Sequence, residues 1–124
     1  MHELSIASAI VEHVMAFAES SSPPRKILGV RVIIGELTCL DPEQLKFCYD
    51  VITRETPLEG STLQVERADA EVFCPHCSYR GRPKLWEEAL SDVMVATMQC
   101  PSCGAVVEAT RGHDCILRTV RYAE

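Results

Sequence analysis

Four cysteines stand in two matched C-x-x-C pairs whose spacing predicts a metal site. The first pair is Cys74 and Cys77 in C-P-H-C, and the second is Cys100 and Cys103 in C-P-S-C. Two such pairs that face each other supply four thiolates at the corners of a tetrahedron, which suits a d¹⁰ ion such as zinc. Because four thiolates close the coordination shell, we predict that this zinc is structural and not catalytic.

The same cysteines allow three other interpretations. A thioredoxin-like redox pair needs only one C-x-x-C, whereas each of the two pairs here carries a proline and is followed by a turn residue, Ser78 or Gly104. A disulfide framework is typical of secreted proteins, and we expect no signal peptide, because no basic segment precedes a long apolar run. Iron in the same cage is not excluded by spacing, and the 22 residues between the pairs slightly exceed the usual zinc-ribbon spacing. Zinc is favoured.

The composition excludes several classes of function. The 124 residues include 12 basic and 18 acidic side chains, and the net charge of −6 argues against a general nucleic-acid or anionic-membrane binder. A hydrophobic content of 47% is enough for the core of one domain with a small appendage, and no stretch is long enough to span a bilayer. Seven cysteines, four of them spaced for a metal, fit a reducing compartment, so we expect a cytoplasmic protein.

Two helices and three strands are predicted around this metal site. Apolar residues recur at helical spacing over residues 4–19, where His13 is interpreted as a half-exposed helix residue. A second helix begins at Asp41, with Pro42 at its first position and Gln44 at capping-box spacing, and runs to about residue 55. Alternating apolar residues predict strands over residues 26–37, 61–69 and 115–122.

The order of these elements predicts the fold class. A strand, a helix and a strand imply parallel neighbours, and the last strand returns to complete the sheet. We therefore predict an α+β fold of α/β-like character: a small three-stranded mixed sheet with two helices, plus an inserted zinc-ribbon-like module with four cysteines. The α/β domain comprises residues 1–70 and 110–124, and the zinc domain comprises residues 71–109.

Less can be read from the remaining segments. Residues 81–99 contain Trp86 and the run Val93-Met94-Val95, which are compatible with a short helix and a strand packed over the metal site. Cys39 and Cys48 are interpreted as small buried apolar residues.

No phosphate-binding loop, zinc-protease motif or nucleophile elbow is present, so an enzyme is not favoured.

The first residues could hold a second metal ion. The amino group of Met1, the backbone nitrogen of His2 and the His2 ring can close fused chelate rings on one ion. Nearly coplanar nitrogen donors suit Ni(II) or Cu(II), and Glu3 could add its backbone nitrogen or carboxylate. Because the amine and the imidazole are protonated near or below neutrality, the metal affinity should fall with acid. A histidine at position 2 is, however, usually a surface residue.

The chain resembles the HypA/HybF family of hydrogenase nickel-incorporation proteins over nearly its whole length. The matching segments occur in the family's order: M-H-E-L-S-I at 1–6, G-E-L at 35–37, D-P-E at 41–43, L-K-F at 45–47, E-G-S-T-L at 59–63, the two C-x-x-C pairs, and C-I-L at 115–117. The segment between the cysteine pairs is longer here than is typical of bacterial members.

This resemblance implies a nickel metallochaperone without catalytic turnover. Nickel would be passed, together with the GTPase HypB, to the precursor of the [NiFe]-hydrogenase large subunit. Nickel binding carries over to His2 with Glu3 as its neighbour, and zinc binding carries over to the four cysteines. Asp41 matches an acidic position, for which a helix cap is the favoured role, and His76 inside the first pair is interpreted as a bystander.

Two other functions and the oligomeric state stay open at this point. A zinc-ribbon module that contacts nucleic acid or another protein would bind one metal per chain. A thiol-disulfide enzyme would hold no zinc. The chain could be a monomer or a homodimer.

Overall fold

The computed structural model describes residues 2–87 and 94–123. In chain order the elements are helix α1 (Glu3–Glu19), strand β1 (Lys26–Gly35), a 3₁₀ turn (Glu36–Thr38), helix α2 (Pro42–Ile52), and strands β2 (Thr62–Ala68), β3 (Glu71–Phe73), β4 (Arg80–Gly81), β5 (Leu85–Glu87), β6 (Met94–Ala96), β7 (Glu108–Arg111) and β8 (Cys115–Ala123).

These elements form two compact units. The first unit comprises Met1–Ile33, Cys39–Glu66 and Cys115–Glu124, and the second comprises Ile34–Thr38 and Arg67–Asp114. Among the described residues, no helix is both long enough and apolar enough to cross a membrane.

In the first unit, α1 and α2 pack against each other and bury much of the apolar faces that the periodicity predicted, although Leu4 and Val51 of those faces are exposed. The second helix ends three residues earlier than predicted. The Thr53 backbone N–H and hydroxyl both bond to the carbonyl of Tyr49, and Glu55 adopts a φ of +62° that no helix continues. The core of this unit contains these fully or nearly fully buried side chains: Ala7, Val14, Ala18, Ile27, Val30, Val32, Leu40, Leu45, Tyr49, Leu58 and Leu63.

The start of α2 is capped as predicted, but no capping box forms there. The Asp41 carboxylate accepts a hydrogen bond from the Glu43 N–H at 3.0 Å, and Pro42 takes the first helical position. A capping box would need the Gln44 side chain to accept the Asp41 N–H. That N–H is instead donated to Glu3 Oε1 at 3.1 Å, so the predicted role of Gln44 is wrong.

The main sheet is mixed and three-stranded, with the order β2-β1-β8. The predicted return of the last segment as a third strand is therefore confirmed, as is the fold class. The first strand is shorter than predicted, because the chain turns into 3₁₀ geometry directly after Gly35. Thr38 supports this turn by donating its hydroxyl proton to the Gly35 carbonyl at 2.6 Å.

Within the second unit, two glycines allow the backbone to approach itself closely. A Cβ on Gly35 would lie 2.2 Å from the carbonyl carbon and oxygen of Gly112, which is far inside van der Waals contact. Gly112 has a φ of +87°, and a Cβ there would lie 2.7 Å from the Cα of Ala70. The predicted turn at residues 112–114 is thus built on two positions where any side chain would clash.

The second unit contains two small sheets. Strand β3 pairs antiparallel with both β4 and β7, in the order β4-β3-β7. Strands β5 and β6 form an antiparallel pair, in which Leu85 faces Ala96. The sequence was compatible with a short helix in this segment, but residues 85–87 and 94–96 are strands. Val93, which begins the predicted run Val93-Met94-Val95, lies outside the described residues.

An ion pair links the 3₁₀ turn to the β4 region of the second unit. The Glu36 carboxylate accepts hydrogen bonds from both terminal guanidinium nitrogens of Arg82, one of them at 2.9 Å, and from the Ala70 N–H at 2.9 Å. The hydrogen bonds from Arg82 are the main cause that holds the pKa of Glu36 below its ordinary value. Glu36 thus joins three segments that are distant in sequence: the 3₁₀ turn, the residue that precedes β3 and the residue that follows β4.

One sequence interpretation of a cysteine is wrong. Cys48 is buried on α2, as expected, but Cys39 is exposed and has a φ of +57°. Cys39 lies in the bend between the 3₁₀ turn and α2. Its place there is explained by the left-handed backbone conformation of the bend and not by burial of its side chain.

We predict that Glu36→Gln destabilises the protein by about 1 kcal/mol at neutral pH, since Arg82 is 40% exposed and solvent screens the pair. A carboxylate whose folded pKa is lowered contributes stability above its ordinary value of 4.5 and loses it as the pH falls through the folded value. Urea unfolding of both proteins should therefore show the largest difference at neutral pH and a shrinking one below pH 4.5.

The matched control is Asp69→Asn, because Asp69 is 84% exposed and lies 3.7 Å from the same guanidinium. Its effect should stay below about 0.5 kcal/mol. A Glu36→Gln effect that is equally small, or independent of pH, would contradict the role assigned to this ion pair.

Candidate metal centre

The two C-x-x-C pairs fold into turns with the same hydrogen bonds. In the first turn the Cys74 N–H donates to the Tyr79 carbonyl at 2.8 Å, and the Ser78 N–H donates to the Cys74 carbonyl at 2.8 Å. In the second turn Cys100 bonds to Ala105 at 2.8 Å and Gly104 bonds to Cys100 at 2.9 Å, in the same directions and at the same offsets along the chain.

The fifth residue of each turn has left-handed backbone conformation. Ser78 has a φ of +64° and Gly104 has a φ of +77°. These are the two turn residues that the sequence indicated. The conformation reverses the chain directly after the second cysteine of each pair, so that both sulfurs of the pair lie on the inside of the turn.

The four sulfurs lie close enough together to bind one ion. The Sγ atoms of Cys74 and Cys103 are 3.6 Å apart, as are those of Cys77 and Cys100, and all four lie within 4.8 Å of one another. A tetrahedral zinc ion with Zn–S bonds of about 2.3 Å requires sulfur atoms about 3.8 Å apart. The sulfur spacing and the donor type therefore fit a four-thiolate zinc site, which would hold the two turns together.

The sulfurs form one side of a small hydrophobic core. Cys74 and Cys100 are buried with Val72 and Val107, and Tyr79 and Ala105 pack against this group. Cys77 and Cys103 are exposed. A core of four buried residues contributes too little burial to stabilise such a module alone, so metal binding must supply much of its folding free energy.

The thiols of the cluster differ in pKa. Although the Tyr79 N–H favours the Cys77 thiolate, desolvation by the surrounding atoms and the neighbouring sulfurs together raise the pKa of Cys77 to about 12. Burial opposes ionisation of Cys100 as well, but the N–H groups of Cys103 and Ser102 and the Cys77 side chain lower its pKa to about 7. The cluster by itself keeps protons that a bound metal would displace, because four adjacent thiolates repel one another.

The amino-terminal candidates lie at the start of α1. His2 is the exposed N-cap residue in extended conformation, and its carbonyl accepts the first helical hydrogen bond from the Ile6 N–H at 3.2 Å. The Glu3 carboxylate receives the Asp41 N–H, which is the main cause that lowers the pKa of Glu3. The starts of both helices are thereby joined in the first unit.

The structure does not gather these residues into a second side-chain cluster. In the described part of the chain, the four cysteines are the one group of three or more His, Cys, Asp or Glu side chains positioned for a metal. Met1, whose amino group belongs to the predicted chelate, lies outside the described residues. His13 and His76 are exposed and lie outside the four-cysteine group.

Sequence reasoning missed the hydrogen bond between Glu3 and Asp41. Both residues were singled out, Glu3 as a neighbour of His2 and Asp41 as a helix cap. Their separation of 38 positions hides the contact, since nothing in either local pattern indicates that the two helix starts meet. Only the packing of α1 against α2 indicates that Glu3 and Asp41 meet.

Comparison with known proteins places these features in a family. Residues 1–122 match the family model described as hydrogenase/urease nickel incorporation, metallochaperone, hypA. Proteins named hydrogenase maturation factor HypA from Methanopyrus kandleri and Methanothermobacter thermautotrophicus are 36% and 37% identical to this chain. Each alignment covers 98% of this chain, and 92% and 96% of the respective relatives.

Two solved structures share the fold. The solution structure of the Ni metallochaperone HypA from Helicobacter pylori has a TM-score of 0.63 at 23% identity, with coverage of 98% of this chain and 97% of that one. A second solution structure of a HypA protein has a TM-score of 0.66 at 22% identity and covers 99% and 97% of the two chains.

We predict that Cys100→Ser removes the metal and unfolds the second unit, because one thiolate and a buried contact are lost together. Elemental analysis after dialysis against a chelator should give about one metal per chain for the parent and nearly none for the variant. The amide signals of residues 71–111 should lose their dispersion in nuclear magnetic resonance spectra.

Cys115→Ser is the control, because Cys115 is a partly buried cysteine outside the cluster. It should retain the metal. Full metal content in Cys100→Ser, or equal loss from both variants, would show that the four sulfurs are not the binding site.

Proposed function

This chain belongs to the HypA family of nickel-incorporation metallochaperones, and from that premise we propose that it binds Ni(II) at its amino terminus and delivers it to the precursor of the [NiFe]-hydrogenase large subunit. Members of this family act in hydrogenase maturation and are not enzymes. The observation that carries the proposal is the family match over residues 1–122, which includes the M-H-E opening.

His2 is the proposed principal nickel ligand. Its side chain is exposed and makes no capping hydrogen bond to the helix, so the imidazole is accessible to an ion. The first N–H groups of a helix have no intrahelical acceptor. The backbone nitrogens of His2 and Glu3 therefore belong to the part of α1 that helix formation leaves unbonded, and a metal that displaces amide protons would not disrupt the helix.

Glu3 is proposed as a neighbour that completes or orients the nickel shell. Its Oε1 is held by the Asp41 N–H, which fixes the carboxylate next to His2 in the chain. The lowered pKa of Glu3 keeps this carboxylate ionised and adds negative charge beside the imidazole. The Asp41 carboxylate caps α2 by accepting the Glu43 N–H. Asp41 therefore acts on the proposed nickel site through its backbone N–H, which positions Glu3.

We propose that the four cysteines hold a structural zinc ion. In this account residues 71–109 form the zinc domain, while residues 1–70 with 110–124 form the nickel-binding domain. Thiolates prefer zinc in a closed tetrahedral shell, whereas coplanar nitrogen donors prefer Ni(II) or Cu(II). The difference in donor type would keep the permanent ion and the transported ion in separate sites.

Reversible binding follows from the chemistry of the nickel donors. Amines and imidazoles as classes of donor take up protons under mildly acidic conditions, so protons would compete with nickel for them. A closed four-thiolate shell differs in having no open position at which an acceptor could take over the ion. Nickel can thus be released to an acceptor while the zinc stays bound.

The proposed partners are a HypB-type GTPase and the hydrogenase precursor. Family membership supports a role within the hydrogenase maturation machinery, and these two proteins are the partners implied by the resemblance of the sequence. We propose that the exchange occurs in the cytoplasm, a reducing compartment in which the seven cysteines of the chain would stay in the thiol form.

We predict that His2→Ala abolishes tight nickel binding, because it removes the ring nitrogen that closes the chelate. Isothermal titration calorimetry with Ni(II) should show affinity at least about a hundredfold lower, as is expected when a primary ligand is lost. Zinc content should not change. His13→Ala is the control, since His13 is another exposed histidine of α1. Nickel affinity that survives in His2→Ala would refute the assignment.

A peptide extension ahead of Met1 should also abolish nickel binding, because it converts the proposed amine donor into an amide. The same extension placed after Glu124 should have no effect on the titration. If both extended proteins bind nickel like the parent, the amino group is not a ligand.

A further inference from the structure

A groove lies on the main sheet within the first unit, outside the metal sites. It has a volume of about 140 Å³ and is formed by neighbouring positions of β1, β2 and β8. We call it the sheet groove, and its lining consists of Gly29, Val30, Arg31, Gln64, Thr119 and Arg121.

Arg121 lies directly on the backbone of β1. A Cβ on Gly29 would lie 2.5 Å from Nη2 and 3.0 Å from Nε of Arg121. The glycine therefore provides the space that the guanidinium occupies. Any other residue at position 29 would require the Arg121 guanidinium to shift from this position.

The two arginines of the groove differ in their partners. Arg31 is paired with the Glu66 carboxylate, and both side chains are a little under half exposed. For Arg121, no carboxylate partner exists among the described residues. Within the described part of the chain, the groove thus presents one guanidinium that forms no ion pair, on a chain whose net charge is −6.

The size and polarity of the groove restrict what could bind there. Small-molecule sites usually have volumes of about 300–1,000 Å³, so this groove has room for a side chain and not for a cofactor. Nucleic acid is bound through many phosphate contacts, which one unpaired cation on an acidic protein does not provide, whereas a single carboxylate side chain needs only one guanidinium. A planar guanidinium matches the two oxygens of a carboxylate.

We propose that the sheet groove is a docking site for an acidic segment of a partner protein, with a Glu or Asp side chain of that segment bound by Arg121. Gln64 and Thr119 also line the groove and supply neutral hydrogen-bond donors. Arg31, which lines the groove as well, stays paired with Glu66. This interaction needs neither metal site, so it stands apart from nickel transfer.

The test is a titration of the full-length, metal-loaded protein with a fluorescent oligoglutamate peptide at low salt, followed by anisotropy and by ¹⁵N nuclear magnetic resonance. The Nε–H of Arg121 and the amides of Gly29, Gln64 and Thr119 should shift together. Arg121→Gln should weaken binding about tenfold or more, the effect of losing a charged hydrogen bond.

Arg118→Gln is the matched control, because Arg118 is exposed on the same strand, lies outside the groove and changes the net charge equally. It should weaken binding by less than about twofold, the small effect expected of an exposed charge. Equal loss in both variants, equal binding of an oligoglutamine peptide, or stronger binding of an oligonucleotide to the groove would overturn the proposal.

Discussion

The close placement of four cysteine sulfurs is the constraint on which the second unit depends. All four lie within 4.8 Å of one another, so four thiolates at these positions would repel one another unless a cation were bound between them. The two turns that carry the sulfurs have matching backbone hydrogen bonds, and only four residues form the core beside them. A bound ion therefore joins two local turns into one module, and the remaining strands can then be short.

The first unit depends on a different principle. Two amphipathic helices and a three-stranded sheet bury an apolar core that needs no ion. This stable part holds His2 and Glu3 at the start of α1, where helix geometry leaves backbone nitrogens unbonded. In the proposed account, the first unit is stabilised by apolar burial and binds the transported nickel ion. The second unit is stabilised by metal binding and holds the permanent zinc ion.

Much of this architecture could be predicted because it is recorded in local patterns. Apolar periodicity gave both helices and the three strands of the main sheet, and the spacing of Cys74, Cys77, Cys100 and Cys103 gave the sulfur cluster. Features that depend on distant contacts could not be predicted in this way. The hydrogen bond between Glu3 and Asp41, the packing of Gly35 on Gly112 and the groove position of Arg121 each join residues far apart in sequence.

The most direct test of the account is X-ray absorption at the nickel and zinc edges of one full-length sample that contains both ions. The central claim is that the type of donor separates the two metals. The account predicts a zinc shell of four sulfurs and a nickel shell of nitrogen and oxygen donors only, including imidazole. Sulfur in the nickel shell, or loss of zinc when nickel is added, would contradict it.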